Sequence, residues 1–306
     1  MRAGALWRRS GSNSEWAPLQ SVVLSLPCQS WPAPADWNDA LYLGPVGFPR
    51  LRHQLQAYAQ TLESLGVEVV HYEWPAIGSP AYNGIFVRDQ FFMTPEGAIV
   101  ARMGSQPRAA EARWITAALG AEGAPIVRTI RGDACFEGAD AIWLRPDLVA
   151  IGVGNRTNER GASQVADVLR EQGIASVAFN LPSEVQHLLG LLQVVASDLA
   201  VVRTGLAPRR LLDTLAEVGI AVVEVPESES VTARQAINFV TMGPRRVVVV
   251  DGSSDVQDTL TRAGIEVVAA VHCPELLKCA GGLACATGIL HRRMTSGLPD
   301  ESEASR

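Results

Sequence analysis

Apolar and polar residues follow two periods near the start of the chain. Residues 51–62 repeat apolar positions every three to four residues, which is the period of an amphipathic helix. The run Gln20–Leu26 before it is rich in β-forming residues, and so is Val67–Tyr72 after it. Gly66 separates the helical segment from the second run, in the position where glycine commonly ends a helix. The pattern predicts a strand, a helix that ends at glycine, and a further strand.

This junction of helix, glycine and short apolar strand recurs along the chain at intervals of roughly 50 residues, a period typical of repeat architectures. Five glycines mark it: Gly66, Gly123, Gly173, Gly219 and Gly264. One or two strand-like runs precede each helix, and they include Ile85–Met93 with Ala98–Met103, Ala141–Leu144 with Leu148–Val153, Leu191–Val195 with Leu199–Arg203, and Ile237–Met242 with Arg246–Val250. The repeating unit is therefore predicted to be strand, strand, helix, strand, used five times.

The repeat favours an α/β fold in which the five units form a closed array. The alternative is a doubly wound α/β domain, whose units also end helices at glycine, but the extra strand before each helix argues against it. Because no Pro/Ser-rich linker divides the chain, we expect one domain over residues 19–293. Residues 1–18 are predicted to be a loose N-terminal extension, and residues 294–306 a flexible C-terminal tail.

The composition excludes several classes of protein. Hydrophobic residues make up 47% of the 306 residues and charged residues 19%, so the chain is not a disordered one. A net charge of −6 gives no basic surface for nucleic acid. The longest apolar run, residues 188–202, contains Gln193, Ser197 and Asp198, which argues against a membrane span. We expect neither nucleic acid nor a membrane as a partner.

Five scattered cysteines do not suggest a disulfide framework, and they suit a reducing compartment. The arginines near the N-terminus precede no apolar segment of the kind found in signal peptides. The sequence therefore predicts a cytoplasmic protein.

Cys285 lies among small residues, Gly281-Gly282-Leu283-Ala284 before it and Ala286 after it. Small residues allow close packing of a buried thiol, and they equally allow close approach of a ligand to a nucleophile. His187 in an apolar run is by default a hydrogen-bonded core histidine. Together with Glu137, however, these residues supply the nucleophile, proton shuttle and orienting carboxylate that thiol catalysis requires.

Other polar residues allow structural interpretations. Asp89 and Asp140 can cap turns, and Thr157 or Asn158 can cap the helix that follows. A dinucleotide-binding loop at residues 152–161 is disfavoured, because its glycines do not have the required spacing.

A zinc site is the other alternative for the C-terminal thiols. It would use His272-Cys273, Cys279 and Cys285. The gaps between these residues are longer than those usual for zinc ligands.

Taken in order, several motifs resemble those of the guanidine-modifying superfamily, which contains dimethylarginine dimethylaminohydrolases, arginine deiminases and amidinotransferases. The resemblance extends from about Val22 to Arg292. Its motifs are Asn83–Asp89, Glu137–Asp140, Arg156-Thr-Asn158 with Gly161, His187-Leu188, and Gly281-Gly282 with Cys285. The superfamily fold is a five-bladed α/β propeller of ββαβ repeats, so the resemblance implies that fold here.

The resemblance also implies roles for individual residues. Cys285 matches the nucleophile that attacks the guanidinium carbon, His187 the general acid and base, and Glu137 the carboxylate that pairs with the guanidinium and orients the histidine. The substrate-binding set implied by it comprises Asp89, Asn83, Arg108, Arg156 and Asp140. Arg108 and Arg156 match residues near the substrate's α-carboxylate in the dimethylarginine branch. No metal and no organic cofactor is expected.

The implied function is a cysteine-dependent hydrolase of arginine or an N-substituted arginine, with a small guanidino molecule as its partner. Four positions depart from the branches of the superfamily. Asn83 and Arg88 replace the usual Asp and Glu of the dimethylarginine branch. Leu189 replaces the acid two residues after the histidine in deiminases and amidinotransferases, and Ala284 replaces the histidine before the cysteine in amidinotransferases. An amidinotransferase, or a guanidine-binding homologue without catalysis, remains the alternative. A homodimer is left open as the oligomeric state.

Overall fold

The computed structural model describes residues 7–28, 30–74 and 81–295. Short strands and helices alternate through this part of the chain. The strands are β1 (Leu19–Leu26), β2 (Glu68–Glu73), β3 (Phe91–Met93), β4 (Ala98–Val100), β5 (Ile126–Thr129), β6 (Ala141–Arg145), β7 (Leu148–Val153), β8 (Ala175–Asn180), β9 (Leu192–Ala196), β10 (Leu199–Val202), β11 (Ala221–Glu224), β12 (Val240–Gly243), β13 (Arg246–Val250), β14 (Glu266–Val271) and β15 (Thr287–Arg292). The helices are α1 (Phe48–Ser64), α2 (Val87–Gln90), α3 (Glu111–Ala121), α4 (Glu159–Glu171), α5 (Arg209–Glu217), α6 (Glu229–Thr232), α7 (Ser254–Arg262), α8 (Pro274–Lys278) and α9 (Leu283–Ala286).

The strands form five three-stranded sheets, and four of these follow the predicted repeat. In each of the four, the middle strand pairs antiparallel with the strand before it and parallel with the strand after it. The helix of the unit lies between the two parallel strands in sequence, because a parallel pair needs a long crossover connection. The α/β class and the strand, strand, helix, strand order are therefore confirmed for these units.

The first sheet is completed by the end of the chain. β1 pairs parallel with β2 and antiparallel with β15, so that Val22 lies between Val69 and Ile289. β15 thus supplies the strand that the first unit lacks, and it was absent from the predicted elements. The two ends of the domain are joined by the backbone hydrogen bonds of one sheet.

The five sheets contact one another in a circle. β15 contacts β3, and β3 contacts the 3-10 turn Gly138–Asp140 that leads into β6. β6 contacts β9, β9 contacts β12, and β12 contacts β1 of the first sheet. This circle agrees with the predicted closed array and is compatible with a five-bladed propeller.

The five junction glycines have left-handed backbones. Their φ values are 85° at Gly66, 70° at Gly123, 75° at Gly173, 79° at Gly219 and 74° at Gly264. In each case the residue after the glycine donates its N–H to the carbonyl of a leucine near the end of the helix. This is the hydrogen-bond pattern of a helix that ends at a left-handed glycine, so the predicted helix ends are confirmed.

Two predicted strands begin later than the sequence suggested. The run Ile85–Met93 is mostly not a strand, because Tyr82–Ile85 forms a 3-10 turn and α2 follows it before β3 begins at Phe91. Similarly, β12 begins at Val240 rather than Ile237. Polar and apolar residues alike are buried in these two segments, so burial does not alternate with a period that separates strand from helix.

The N-terminal segment is not a loose extension where the structure describes it. Ser12, Ser14 and Ala17 are buried, and the backbone of Gly11 bonds to that of β15. Glu15 pairs with the buried Arg88 at 2.8 Å, which draws the segment into the core. The domain boundary near residue 19 remains a prediction.

Most of the predicted C-terminal tail, residues 296–306, lies outside the described residues. Thr295 just before it bonds to the side chain of Asn13. Among the described helices, none combines the length and the apolar character needed to cross a bilayer.

Candidate active site

Five of the predicted site residues line one small pocket. Asn83, Asp89, Arg108, Arg156 and Cys285 surround a cavity of about 20 Å³. They come from sequence segments as distant as the turn before α2 and the helix α9. The circular arrangement of the sheets brings these segments together, which no local sequence pattern could show.

The other three predicted residues, Glu137, His187 and Asp140, lie deeper in the protein than the residues that line the pocket. Glu137 is fully buried, and His187 and Asp140 are nearly so. Glu137 contacts both His187 and Arg108, and thus connects this deeper layer to the pocket. Each predicted residue is therefore in or next to the same site, although they do not all face the cavity.

Cys285 lies on α9 and is half-buried. The Sγ atom of Cys285 accepts a hydrogen bond from the side-chain amide of Asn238 at 2.9 Å. Burial and the nearby negative charge of Asp89 raise the pKa of the Cys285 thiol to about 11, despite the opposing effect of the cationic Arg108. In the ligand-free site the thiol is therefore protonated at neutral pH.

His187 and Glu137 form a buried charged pair. The Nε2 atom of His187 lies 2.7 Å from Oε2 of Glu137. Burial alone would lower the pKa of His187, but Asp89 and Glu137 outweigh it and raise this pKa to about 9. Burial would raise the pKa of Glu137, but Arg108 and His187 lower it to about 2. At neutral pH the pair is thus imidazolium and carboxylate.

The guanidinium of Arg108 is held by three buried carboxylates. Its Nε and Nη2 atoms donate to the two oxygens of Glu111 at 3.0 and 2.8 Å. Its Nη1 atom donates to Asp89 at 2.7 Å and to Glu137 at 3.3 Å. Arg108 was expected to lie near a substrate carboxylate. Instead, both edges of its guanidinium already bind carboxylates of the protein.

Glu111 belongs to this cluster and was missed in the sequence. It lies on the first turn of α3, three residues after Arg108, and is 1% exposed. Burial raises the pKa of Glu111 to about 7, although Arg108 opposes this. The three-residue spacing from Arg108 was the available signal, but nothing in the sequence showed that this pair is buried.

Asp140 does not line the pocket, which corrects its assignment to substrate binding. Its Oδ1 atom accepts the backbone N–H of Leu188, and its Oδ2 atom accepts the hydroxyl of Thr157. Thr157 in turn accepts the backbone N–H of Glu137. Asp140 therefore connects the backbone next to His187 with the backbone of Glu137, and it fixes both members of the buried pair.

Asn83 lines the pocket, but its amide is already engaged. The Nδ2 atom donates to the backbone oxygen of Ala40 at 2.7 Å. Leu41, which follows Ala40 in the chain, also lines the pocket and has a left-handed φ of 61°. Asn83 thus anchors the loop before α1 over the site, an arrangement that the predicted role in substrate binding did not include.

Arg156 connects the small pocket to a larger opening. Its Nη1 atom lies 3.9 Å from Glu137, and its side chain keeps an exposed part. The residue also lines an open cavity of about 450 Å³ together with Gly104, Asn155 and Gln186. Of the two predicted arginines, Arg156 is the more exposed, and it is the one that lines the larger cavity.

The structure bears on two of the alternative interpretations, the helix cap at Asn158 and the zinc site at the C-terminal thiols. Asn158 is the N-cap of α4, where its side chain accepts the N–H of Gly161. A zinc site at the C-terminal thiols lacks support, because His272 is exposed and pairs with Asp251 while Cys273 is buried. The thiol of Cys279 bonds to a backbone carbonyl of its own helix.

One group among the described residues has atoms close enough to bind a metal ion. Asp89, Glu137 and His187 each offer a ligand atom, and these atoms lie within 4.8 Å of one another. The Nη1 atom of Arg108 donates to both carboxylates of this group. The arrangement therefore fits a guanidinium better than a metal cation, which would have to displace Arg108.

Asn238, which is not among the predicted site residues, contacts Cys285 directly. It bonds to the side chain and the backbone of Cys285, and it is buried. A lone asparagine within the apolar run Ile237–Met242 was the available signal. The run itself predicts only a strand.

Comparison with known proteins finds similarity to arginine deiminases and to a dimethylarginine dimethylaminohydrolase. The sequence profile of the arginine deiminase family matches residues 73–208. N(G),N(G)-dimethylarginine dimethylaminohydrolase of Pseudomonas aeruginosa is 25% identical over 267 residues, which cover 87% of this chain and 98% of that protein. The chain is therefore similar to members of the guanidine-modifying superfamily over most of its length.

Solved structures of the superfamily share its fold. A mutant of the Pseudomonas aeruginosa dimethylarginine dimethylaminohydrolase in complex with citrulline matches with a TM-score of 0.74 and 21% identity, over 90% of this chain and all of that one. The amidinotransferase SxtG of Microseira wollei matches with a TM-score of 0.73 and 17% identity, over 94% of this chain and 99% of that one. Hydrolases and a transferase of the superfamily therefore share this fold, and the hydrolase relatives support an enzyme that cleaves C–N bonds of guanidino compounds.

Proposed function

We propose that the protein hydrolyses a guanidino compound, arginine or an N-substituted arginine, through Cys285, His187 and Glu137. The observation that carries this proposal is the cluster around Arg108. Asp89 and Glu137 there bind a planar guanidinium next to His187, in a pocket that Cys285 lines. The protein thus already contains a site with the charge and geometry that a guanidinium requires.

A substrate guanidinium would bind to the same carboxylates. The Oδ1 atom of Asp89 is buried and accepts no hydrogen bond from the described residues, so it is available to a substrate N–H. The bond from Arg108 to Glu137 is the longest of the four that Arg108 donates, at 3.3 Å, and is the one that a substrate most easily replaces. Glu111 would keep the other edge of Arg108 in place.

An anionic group of the substrate would bind Arg156. This residue borders both the small pocket and the larger cavity, and among the described residues its side chain pairs only with Glu137, at 3.9 Å. An amino acid whose guanidinium enters the small pocket would extend its carboxylate towards that side. Arginine and its N-substituted forms have this combination of charges.

The proposed reaction begins when substrate binding lowers the pKa of the Cys285 thiol, which releases its proton to solvent, and the resulting thiolate attacks the guanidinium carbon. A C–S bond forms, and the C–N bond to the leaving amine breaks as the imidazolium of His187 gives it a proton. A water molecule then loses a proton to His187 and attacks the same carbon. The C–S bond breaks, a ureido product leaves, and the thiolate is restored.

The charges of the site support this order of events. Asp89 contributes to the high pKa of the Cys285 thiol, and a bound guanidinium would neutralise that effect. His187 is already protonated at neutral pH, because its pKa is raised to about 9. Substrate binding would therefore favour the thiolate while the acid needed for the leaving group is present.

We also propose that the five sheets are the blades of a five-bladed α/β propeller. The circle of contacts between their strands supports this arrangement. The site residues come from turns and short helices of several units, and they converge on one pocket. In such a propeller each blade contributes one or two groups to a shared site.

The test is turnover of a panel of guanidino compounds, followed by mass spectrometry of the products and of the protein. We expect a ureido product, an amine and a transient adduct on Cys285 for at least one compound. Cys285→Ser should abolish all three, whereas Cys28→Ser, which changes a half-buried thiol outside the pocket, should leave them unchanged. Full activity of Cys285→Ser would disprove the mechanism, and binding without turnover would indicate a non-catalytic homologue.

Amidino transfer is the second candidate function. Its support is the shared fold with an amidinotransferase. The same covalent adduct would then react with an amine instead of water. Adding amines to the panel separates the two functions, because a new guanidine indicates transfer and a ureido product indicates hydrolysis.

A further inference from the structure

Asn238 makes three hydrogen bonds to the segment that carries the nucleophile. Its Nδ2 atom donates to Sγ of Cys285 at 2.9 Å, and its Oδ1 atom accepts the backbone N–H of Cys285 at 3.1 Å. Its backbone oxygen accepts the N–H of Ala284 at 3.2 Å. Asn238 itself is 4% exposed, so this contact is shielded from water.

The backbone contact fixes which end of the amide faces the sulfur. A backbone N–H can only donate, so the Asn238 atom that it meets must be the oxygen. The amino group is then necessarily directed at Sγ of Cys285. An N–H donor stabilises a thiolate more than a thiol, because a hydrogen bond to a charged acceptor is the stronger one.

The surrounding chain is built to admit this contact. A Cβ atom added at Gly282 would lie 2.8 Å from Cβ and Cγ of Asn238. Only glycine therefore lets the loop before β12 approach α9 so closely. One of the two glycines before Cys285 thus makes room for Asn238.

Two charged groups also act on the Cys285 thiol, in opposite directions. Asp89 raises its pKa and Arg108 lowers it. Both also bind other partners, and under the proposed function both change partners when a substrate binds. The amide of Asn238 carries no charge and lies outside that cluster, so its contact with the sulfur persists.

We propose that Asn238 is a positioning residue that holds the backbone of Cys285 and stabilises its thiolate through the Nδ2–H···Sγ hydrogen bond. The inference deepens the proposed function and rests on it only in taking Cys285 as the nucleophile. It requires no knowledge of the substrate.

The test is alkylation of Cys285 by iodoacetamide across a pH series without any guanidine, followed at this residue by mass spectrometry. Asn238→Ala should raise the pH midpoint of alkylation by about one unit, which slows the reaction about tenfold below both midpoints. Asn238→Asp should raise the midpoint further. It keeps an oxygen for the backbone N–H of Cys285, but it adds negative charge and provides no donor.

The order of the variants separates this role from a purely structural one. If Asn238 only supports the loop, the isosteric Asp should resemble the wild type and Ala should be the worse variant. Asn158→Ala is the matched control, because that asparagine also bonds to backbone groups but lies at the N-cap of α4. It should lower thermal stability and leave the midpoint of Cys285 unchanged.

Unchanged midpoints in both Asn238 variants would overturn the proposal, and so would an equal shift in Asn158→Ala. If the Asn238 variants fail to fold, Gly282→Ala displaces the amide from the other side, and the same rise in the midpoint is expected. The proposed function fails independently of this inference. A protein that turns over no guanidine can still show the shift, and an active enzyme can lack it.

Discussion

At the scale of residues, the site is a set of charges that determine one another's protonation. Glu137 is anionic because Arg108 and His187 lower its pKa to about 2, and His187 is cationic because Asp89 and Glu137 raise its pKa to about 9. The Cys285 thiol is neutral because burial and Asp89 raise its pKa to about 11. His187 is therefore ready to act as an acid, whereas the Cys285 thiol requires a further positive charge nearby before it ionises at neutral pH.

The pH dependence of stability should reveal the charge of His187. Its pKa is raised from 6.5 to about 9 in the folded protein, so its contribution is fully present below pH 6.5 and is lost as the pH rises through 9. Relative to His187→Gln, the wild type should lose about 1 to 3 kcal/mol of stability over that range. Urea unfolding of both proteins at several pH values measures this difference, and a constant difference would contradict the assigned charge.

Removing the side chain of Arg108 should create a binding site for free guanidinium. Arg108→Gly leaves the carboxylates of Asp89, Glu111 and Glu137 buried without their cation, so its Tm should fall. Millimolar guanidinium chloride should then raise the Tm of this variant by about 5 °C, because the ion binds only the folded state. The wild type in guanidinium chloride and the variant in potassium chloride are the controls, and equal responses would refute the site.

The sequence identified the residues of the site better than the hydrogen bonds and ion pairs between them. Order and spacing of the motifs were enough to select Cys285, His187, Glu137 and Asp89, which do lie together. The partners of Arg108 and the position of Asp140 depend on which groups are buried side by side. These contacts are set by the packing of segments that are distant in the chain. A single residue such as Asn238 gives almost no signal of them in the sequence.

At the scale of elements, local signals predicted the helix ends well. At all five junctions the glycine has a left-handed backbone, and the residue after it donates its N–H to the carbonyl of a leucine earlier in the helix. Strand boundaries were predicted less well, because the buried runs before β3 and β12 lack an alternating pattern. β15 was missed because its partner, β1, lies at the opposite end of the chain.

Helix α4 offers a test of how tightly the elements near the site pack. A Cβ atom at Gly161 in its first turn would overlap the backbone carbonyl of Cys135, so Gly161→Ala should cost about 1 to 3 kcal/mol. Gly120 in α3 has no atom near its Cβ position, and Gly120→Ala should gain up to about 1 kcal/mol. Chemical unfolding of both variants gives the two values. A neutral Gly161→Ala would show that the loop at Cys135 can move.

At the scale of the whole molecule, the ends of the chain close the circle of sheets. β15 completes the first sheet, and the segment before β1 packs against it through the bond of Gly11 to Leu290 and Arg292. Glu15 carries the buried charge that pairs with Arg88. The N-terminal segment is thus part of the core rather than an appendage.

Breaking that pair should therefore affect the global unfolding of the protein. Glu15→Ala leaves Arg88 as an unpaired buried cation and should cost about 3 to 5 kcal/mol. As a control, Arg209→Ala removes an exposed pair with Asp213 on α5 and should cost less than about 1 kcal/mol. Thermal unfolding measures both. Equal, small losses of stability in the two variants would mean that the N-terminal segment contributes little to closing the circle of sheets.

The tethered guanidinium of Arg108 has a consequence for ligand screening. A group attached to the protein competes at an effective concentration that reaches the millimolar range for short linkers. A free guanidine that takes over the oxygen of Glu137 works against this internal competitor, so its apparent dissociation constant exceeds the intrinsic one. The affinity measured in a screen would therefore underestimate the intrinsic affinity of the site for a guanidinium. A ligand that also carries a carboxylate has an advantage, because it offers a partner to the arginine it displaces.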